Sequence, residues 1–106
     1  MTKCKVRKNT GDYKKWLIHS LKNKKEATTY LQVAIEEFQK DNDLESFLLA
    51  LRYVAEAQGG LGKLSQKTRL NRESLYKTLS SKGNPKLQTI GILLKGLGFE
   101  LSIKKV

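Results

Sequence analysis

The chain has 106 residues, room for one hydrophobic core and one domain. Its 21 Lys and Arg outweigh 10 Asp and Glu, for a net charge of +11, and it holds one Cys and one His. A single Cys excludes an internal disulfide framework and suits a reducing cytoplasm, and no apolar run approaches the ~20 residues of a membrane span.

The charge is segregated. Residues 1–25 hold nine basic residues and one Asp; residues 26–60 hold two basic and seven acidic; residues 61–106 hold ten basic and two acidic. The two cationic ends can attract phosphate through counterion release, whereas the middle cannot.

Residues 1–10 are polar and basic, with Lys3, Lys5, Arg7 and Lys8. They carry no periodicity and no apolar stretch, so neither a signal peptide nor a helix is predicted. A flexible arm fits, either following DNA or simply solvated. Cys4 reads as an incidental thiol in that arm. A single domain then spans 11–106.

Asp12 to Leu21 has Tyr13, Trp16, Leu17 and Leu21 at helical spacing, with Trp16 as a core anchor. His19 has no ligand-type neighbour at metal spacing and reads as exposed. Asn23 to Lys40 is a longer helix. Asn23 followed by Glu26 resembles a capping box, and Ala27, Tyr30, Leu31, Ala34, Ile35 and Phe38 form one apolar stripe. Asp41-Asn42-Asp43 ends that helix and caps the next. There Leu44, Phe47, Leu48, Leu51, Val54 and Ala55 repeat the period up to Gly59-Gly60. Glu36 and Glu37 are adjacent, so they point about 100° apart and do not converge as an acid/base pair.

Residues 61–80 predict two short helices joined by a tight turn, a helix-turn-helix. Leu64 anchors the first helix, Ser65 permits close crossing, and Leu70 plugs the turn. Asn71 caps the second helix and is also a candidate DNA contact, and Leu75 and Leu79 face the core. Arg72, Glu73, Ser74, Tyr76 and Lys77 are left outward to read base edges. Lys67, Arg69, Lys77 and Lys82 are of the type that grips phosphate. Asn84-Pro85 is predicted to start the last helix, with Leu87, Ile90, Leu93, Leu94 and Leu97 buried. Phe99, Leu101 and Ile103 then alternate with polar residues, which predicts a strand over 99–105. With no partner strand in the chain, it either pairs with a second copy to make a dimer or folds over its own core.

These residues resemble a known family. GGLGKLSQKTRLNRESLYKTLSSKGNPKLQTIGILLKGLGFEL, with ATTYLQVAIEE and FLLALRYVAEAQGG upstream, is similar to the addiction-module antidote proteins of the HigA-like, Xre/λ-repressor class, over about Tyr13 to Ile103. The resemblance implies an all-α, λ-repressor-like fold of five to six helices, here with a short C-terminal β-strand. It also implies an antitoxin that binds a small basic RelE/ParE-like (HigB-type) toxin and, as a homodimer, represses its own operon on double-stranded DNA. Carried over by position, Arg72, Glu73, Ser74, Tyr76 and Lys77 are the reading residues. Arg69 departs from the family's usual Gly at the turn. No toxin-contact motif transfers, so the acidic middle, with Glu36, Glu37 and Glu45, is the candidate toxin surface on charge alone.

Two other functions remain open on the sequence: a stand-alone phage-type repressor without a toxin, and an interaction module whose helix-turn-helix is structural. Catalytic residues, metal ligands and cofactors are not predicted. Gly59-Gly60-Leu61-Gly62 lacks the strand and the Lys-Ser/Thr ending of a phosphate loop, and Cys and His do not cluster.

Overall fold

Six α-helices make up the computed structural model, which describes residues 10–106: α1 (Thr10–Ser20), α2 (Lys24–Asp41), α3 (Leu44–Ala57), α4 (Gly60–Thr68), α5 (Arg72–Thr78) and α6 (Leu87–Gly96). The basic arm and Cys4 lie outside the described residues, except that Thr10 already belongs to α1. No described helix is long and apolar enough to cross a membrane.

The architecture follows from α3. Phe47, Leu48, Ala50, Leu51, Val54 and Ala55 are all buried. An apolar surface that wide cannot be covered by one neighbour. Accordingly α1, α2 and α4 all pack on α3, and α4 in turn receives α5 and α6. Phe38 and Phe47 close the α2–α3 end, with ring centroids 6.2 Å apart. Gly96 lets α6 approach α4 closely, since a Cβ there would meet Thr68 Cγ2 at 2.6 Å.

Local chemistry sets the helix ends. Asn23 Oδ1 accepts from the Lys25 and Glu26 backbone N–H groups at 2.8 and 3.1 Å, capping α2. Asn42 ends α2 in the left-handed region, φ 61°, and donates its backbone N–H to Phe38 O at 2.7 Å. Asp43 caps α3, accepting from the Ser46 N–H and hydroxyl. Those bonds, the hydroxyl's first, hold its carboxyl below the usual range. Two long polar side chains bind carbonyls left over at helix ends: Gln58 Nε2 donates to Leu21 O, and Lys24 Nζ donates to Leu97 O, each at 2.7 Å.

Four expectations need correction. Trp16 is 61% exposed, because Leu17 of α1 and Leu21 just after it are buried, leaving Tyr13 and Trp16 exposed with their rings tilted against each other. Asn84-Pro85 does not start α6. Gly83 lies so close to the end of α5 that a Cβ would collide with the Thr78 carbonyl. The chain then runs extended through Lys86 (ψ 160°), and α6 begins at Leu87 without a side-chain cap. Leu87, at that helix's first position, is exposed rather than buried. Finally, no strand forms over 99–105. The Phe99 N–H donates to Leu94 O at 2.8 Å, its ring lies 5.0 Å from Lys24 Nζ, and it packs against the core. Residues 99–102 border a groove of about 250 Å³ with Thr28, Leu31, Ile35 and Leu94. With no neighbouring strand edge to complete a ladder, the tail lies over its own core as far as Ser102, and Ile103 is exposed.

Candidate nucleic-acid interface

The helix-turn-helix comprises α4, residues 69–71 and α5. Arg69 does occupy the left-handed conformation that Gly usually supplies, φ 64° and ψ 22°. The turn therefore keeps the shape that Gly would give it, and Arg69 bears the strain. Neighbouring bonds over-determine it. The Arg69 N–H donates to Ser65 O at 2.8 Å, the Ser65 hydroxyl to Leu70 O, and the Thr68 hydroxyl to Leu64 O. Thr68 Oγ1 also accepts from the Leu70 N–H at 3.3 Å. Leu64, Leu75 and Leu79 are buried beneath, with Leu70 packed against them.

Asn71 Oδ1 accepts from the Glu73 and Ser74 N–H groups at 2.8 and 3.1 Å. Its carbonyl is thus committed to holding α5, so Asn71 acts as a cap before it acts as a reader. Arg72, Glu73, Ser74, Tyr76 and Lys77 are all exposed on α5. Arg72 is the most defined of them. Its guanidinium lies 5.9 Å from the Tyr76 ring centroid, and 3.8 Å from where a Cβ on Gly62 would stand. A second guanidinium, Arg52 of α3, lies 5.5 Å from the same ring and 3.4 Å from Glu56 Oε2. Each cation–π contact is worth about 0.5–1 kcal/mol at such exposed sites. Together they hold two guanidinium groups on one face.

Arg52 was invisible to motif reading. It lies outside the helix-turn-helix, within the acidic middle, and only the packing of α3 on α4 brings it to Tyr76. The other predicted phosphate ligands divide. Arg69 is exposed in the turn before α5, and Lys77 and Lys82 are exposed on α5 and just after it. Lys67 is elsewhere. It lines a separate groove of about 470 Å³ with Lys24, Ile92 and Lys95. Five residues beyond Gly62, it lies about 7.5 Å further along α4 and about 140° round it.

Of the acidic candidates, Glu36 and Glu45 are exposed, on α2 and α3. Glu37 is half-buried and lines a groove between these helices with Asp41, Asp43, Tyr30, Val33 and Ala50. No cluster of His, Cys, Asp and Glu able to hold a metal occurs among the described residues.

A family model described as "Probable addiction module antidote protein" matches residues 13–105. The chain belongs to this family. An uncharacterized protein of Haemophilus influenzae is 28% identical over 75 residues, which is 71% of this chain and 76% of that protein. No solved structure matches. Membership gives the chain an antitoxin role and a toxin as partner. The antidote therefore needs a surface for that toxin. Its helix-turn-helix supplies a cationic face distinct from the acidic α2–α3 side.

Proposed function

We propose that this antidote neutralises a small basic RelE/ParE-like, HigB-type toxin by direct binding and represses its own operon by reading operator DNA with α5. The observation that carries the DNA half is the pair of guanidinium groups, Arg72 and Arg52, on the exposed Tyr76 ring of a helix whose turn is fixed by backbone bonds. A reading side chain held before binding loses less entropy on binding. Arg72 is the candidate for a bidentate contact to guanine, worth about 1–3 kcal/mol of discrimination. Glu73 is suited to a cytosine amine, with Ser74 and Tyr76 beside it. Arg69, Lys77 and Lys82 suit phosphate; Lys67, on the other side of α4, does not share that role.

The toxin half rests on family membership and on the sign of the acidic α2–α3 face, where Glu36, Glu37 and Glu45 lie. The reading includes a homodimer through the C-terminal segment, now narrowed to Leu101 and Ile103, because Phe99 is engaged by its own core.

The test is fluorescence anisotropy with a labelled duplex from upstream of the gene beside a scrambled duplex, across a range of salt. Tighter binding to the native duplex near physiological salt, with Arg72→Ala lowering the native-to-scrambled ratio about 5- to 100-fold, supports the reading. Equal, steeply salt-sensitive binding to both duplexes refutes specific recognition.

A further inference from the structure

Tyr13 and Trp16 of α1 and a groove between α2 and α3 expose apolar surface away from the reading helix. Trp16 is 61% and Tyr13 43% exposed, with ring centroids 5.8 Å apart. On α1, which packs on α3, Lys14 Nζ lies 5.6 Å from the Tyr53 ring centroid, and Tyr53 of α3 and Tyr30 of α2 both pack half-buried against the core. From Tyr30 the surface continues into a groove of about 310 Å³ with Val33, Ala34 and Ala50 in its lining. Val33 stays 42% exposed. Glu37, Asp41 and Asp43 also line it. None of the three has a Lys or Arg within ion-pair distance among the described residues.

We propose that this surface, from Tyr13 and Trp16 of α1 to the Glu37–Asp41–Asp43 end of the α2–α3 groove, is where the toxin docks, receiving a toxin segment that carries an apolar or aromatic side chain next to Lys or Arg. The inference rests on the antitoxin reading and refines it. It retains Glu37 and leaves Glu36 and Glu45 outside the contact.

Two arguments select this occupant. Exposed Trp and Tyr side by side are the composition of binding hot spots, not of an ordinary solvated face. Three carboxylates of a +11 chain, Glu37, Asp41 and Asp43, line the groove and no Lys or Arg does, so the groove complements a cationic protein and repels nucleic acid.

The probe is the toxin of this antidote's addiction module, purified and titrated by biolayer interferometry against the full-length antidote. Trp16→Ala, Val33→Asp and Glu37→Lys are each expected to weaken binding at least about 10-fold. Lys77→Ala should leave toxin affinity unchanged. Thermal melts and operator binding of the variants check that each is folded; Trp16→Ala removes an exposed side chain and leaves the core intact. Wild-type toxin affinity in all three variants overturns the surface and leaves the antitoxin reading standing. No binding by the wild-type chain overturns both. Loss of self-association in the variants, with toxin affinity intact, assigns the surface to a second copy and also overturns the proposal.

Discussion

Arg69 offers a sharp separation of stability from function. It takes φ 64° at the end of α4. A side chain in the left-handed region costs roughly 1–2 kcal/mol. The bonds that fasten the turn come from the Arg69 backbone N–H and from Ser65 and Thr68, and none involves the Arg69 side chain. Arg69→Gly therefore keeps every bond and removes the strain. Against that gain stands the greater backbone entropy that Gly loses on folding, roughly 0.5–1 kcal/mol. The net is a stabilisation of about 0.5–1 kcal/mol, or about 2–8 °C in Tm for a domain of this size. The same variant loses one cation at the reading face, so the slope of log K against log salt should flatten by about 0.9. Differential scanning calorimetry and anisotropy across salt read the two effects. Asn42→Gly is the control: Asn42 has a similar φ of 61°, but Asn tolerates it well, so Tm should rise less. A Tm for Arg69→Gly at or below that of the wild type would refute the strain argument. An unchanged salt slope would remove Arg69 from the DNA face.

Asn71→Ala deletes the acceptor for the Glu73 and Ser74 N–H groups and should cost about 1 kcal/mol in urea unfolding; Asn71→Asp should retain most of it. Burial, then the Tyr13 and Tyr53 phenols, push the Tyr30 hydroxyl up to about 12 from 10.0. Below pH 10 both folded and unfolded chains keep this proton, so it has no effect there. Above it the unfolded chain ionises first, and stability falls as pH rises towards 12. Tyr30→Phe should lessen that alkaline loss and remove a step near pH 12 from an absorbance titration; an unaltered titration curve would contradict the burial argument. Deleting residues 100–106 should give a monomer by light scattering if Leu101 and Ile103 join two copies, and a persisting dimer would exclude that segment.

What was legible in the sequence was local. Asn23, Asp43 and Asn71 each cap a helix because a short polar side chain reaches backbone N–H groups two or three residues on, and that chemistry needs nothing from the rest of the fold. The long stripe of α2 and the broad apolar face of α3 survived because their period leaves one way to bury them. Misreadings arose where burial depends on what covers a face. On α1, Leu17 and Trp16 are neighbours in sequence, both apolar, and either could turn inward; the packing of α1 against α3 selects Leu17. Alternation at Phe99, Leu101 and Ile103 states a preference for extended chain, but a ladder needs an edge, which this all-helical fold lacks. Arg52 is the converse case. Nothing in its local sequence marks it as part of a nucleic-acid face, and it enters only because α3 and α4 pack so that its guanidinium meets Tyr76. The residues hardest to read were therefore those whose role is set by a second helix. At Trp16 and Arg52 this bears on the two proposed interfaces. A large aromatic left uncovered and a cation carried to another helix's ring are features of surfaces, and a surface is defined by several helices at once.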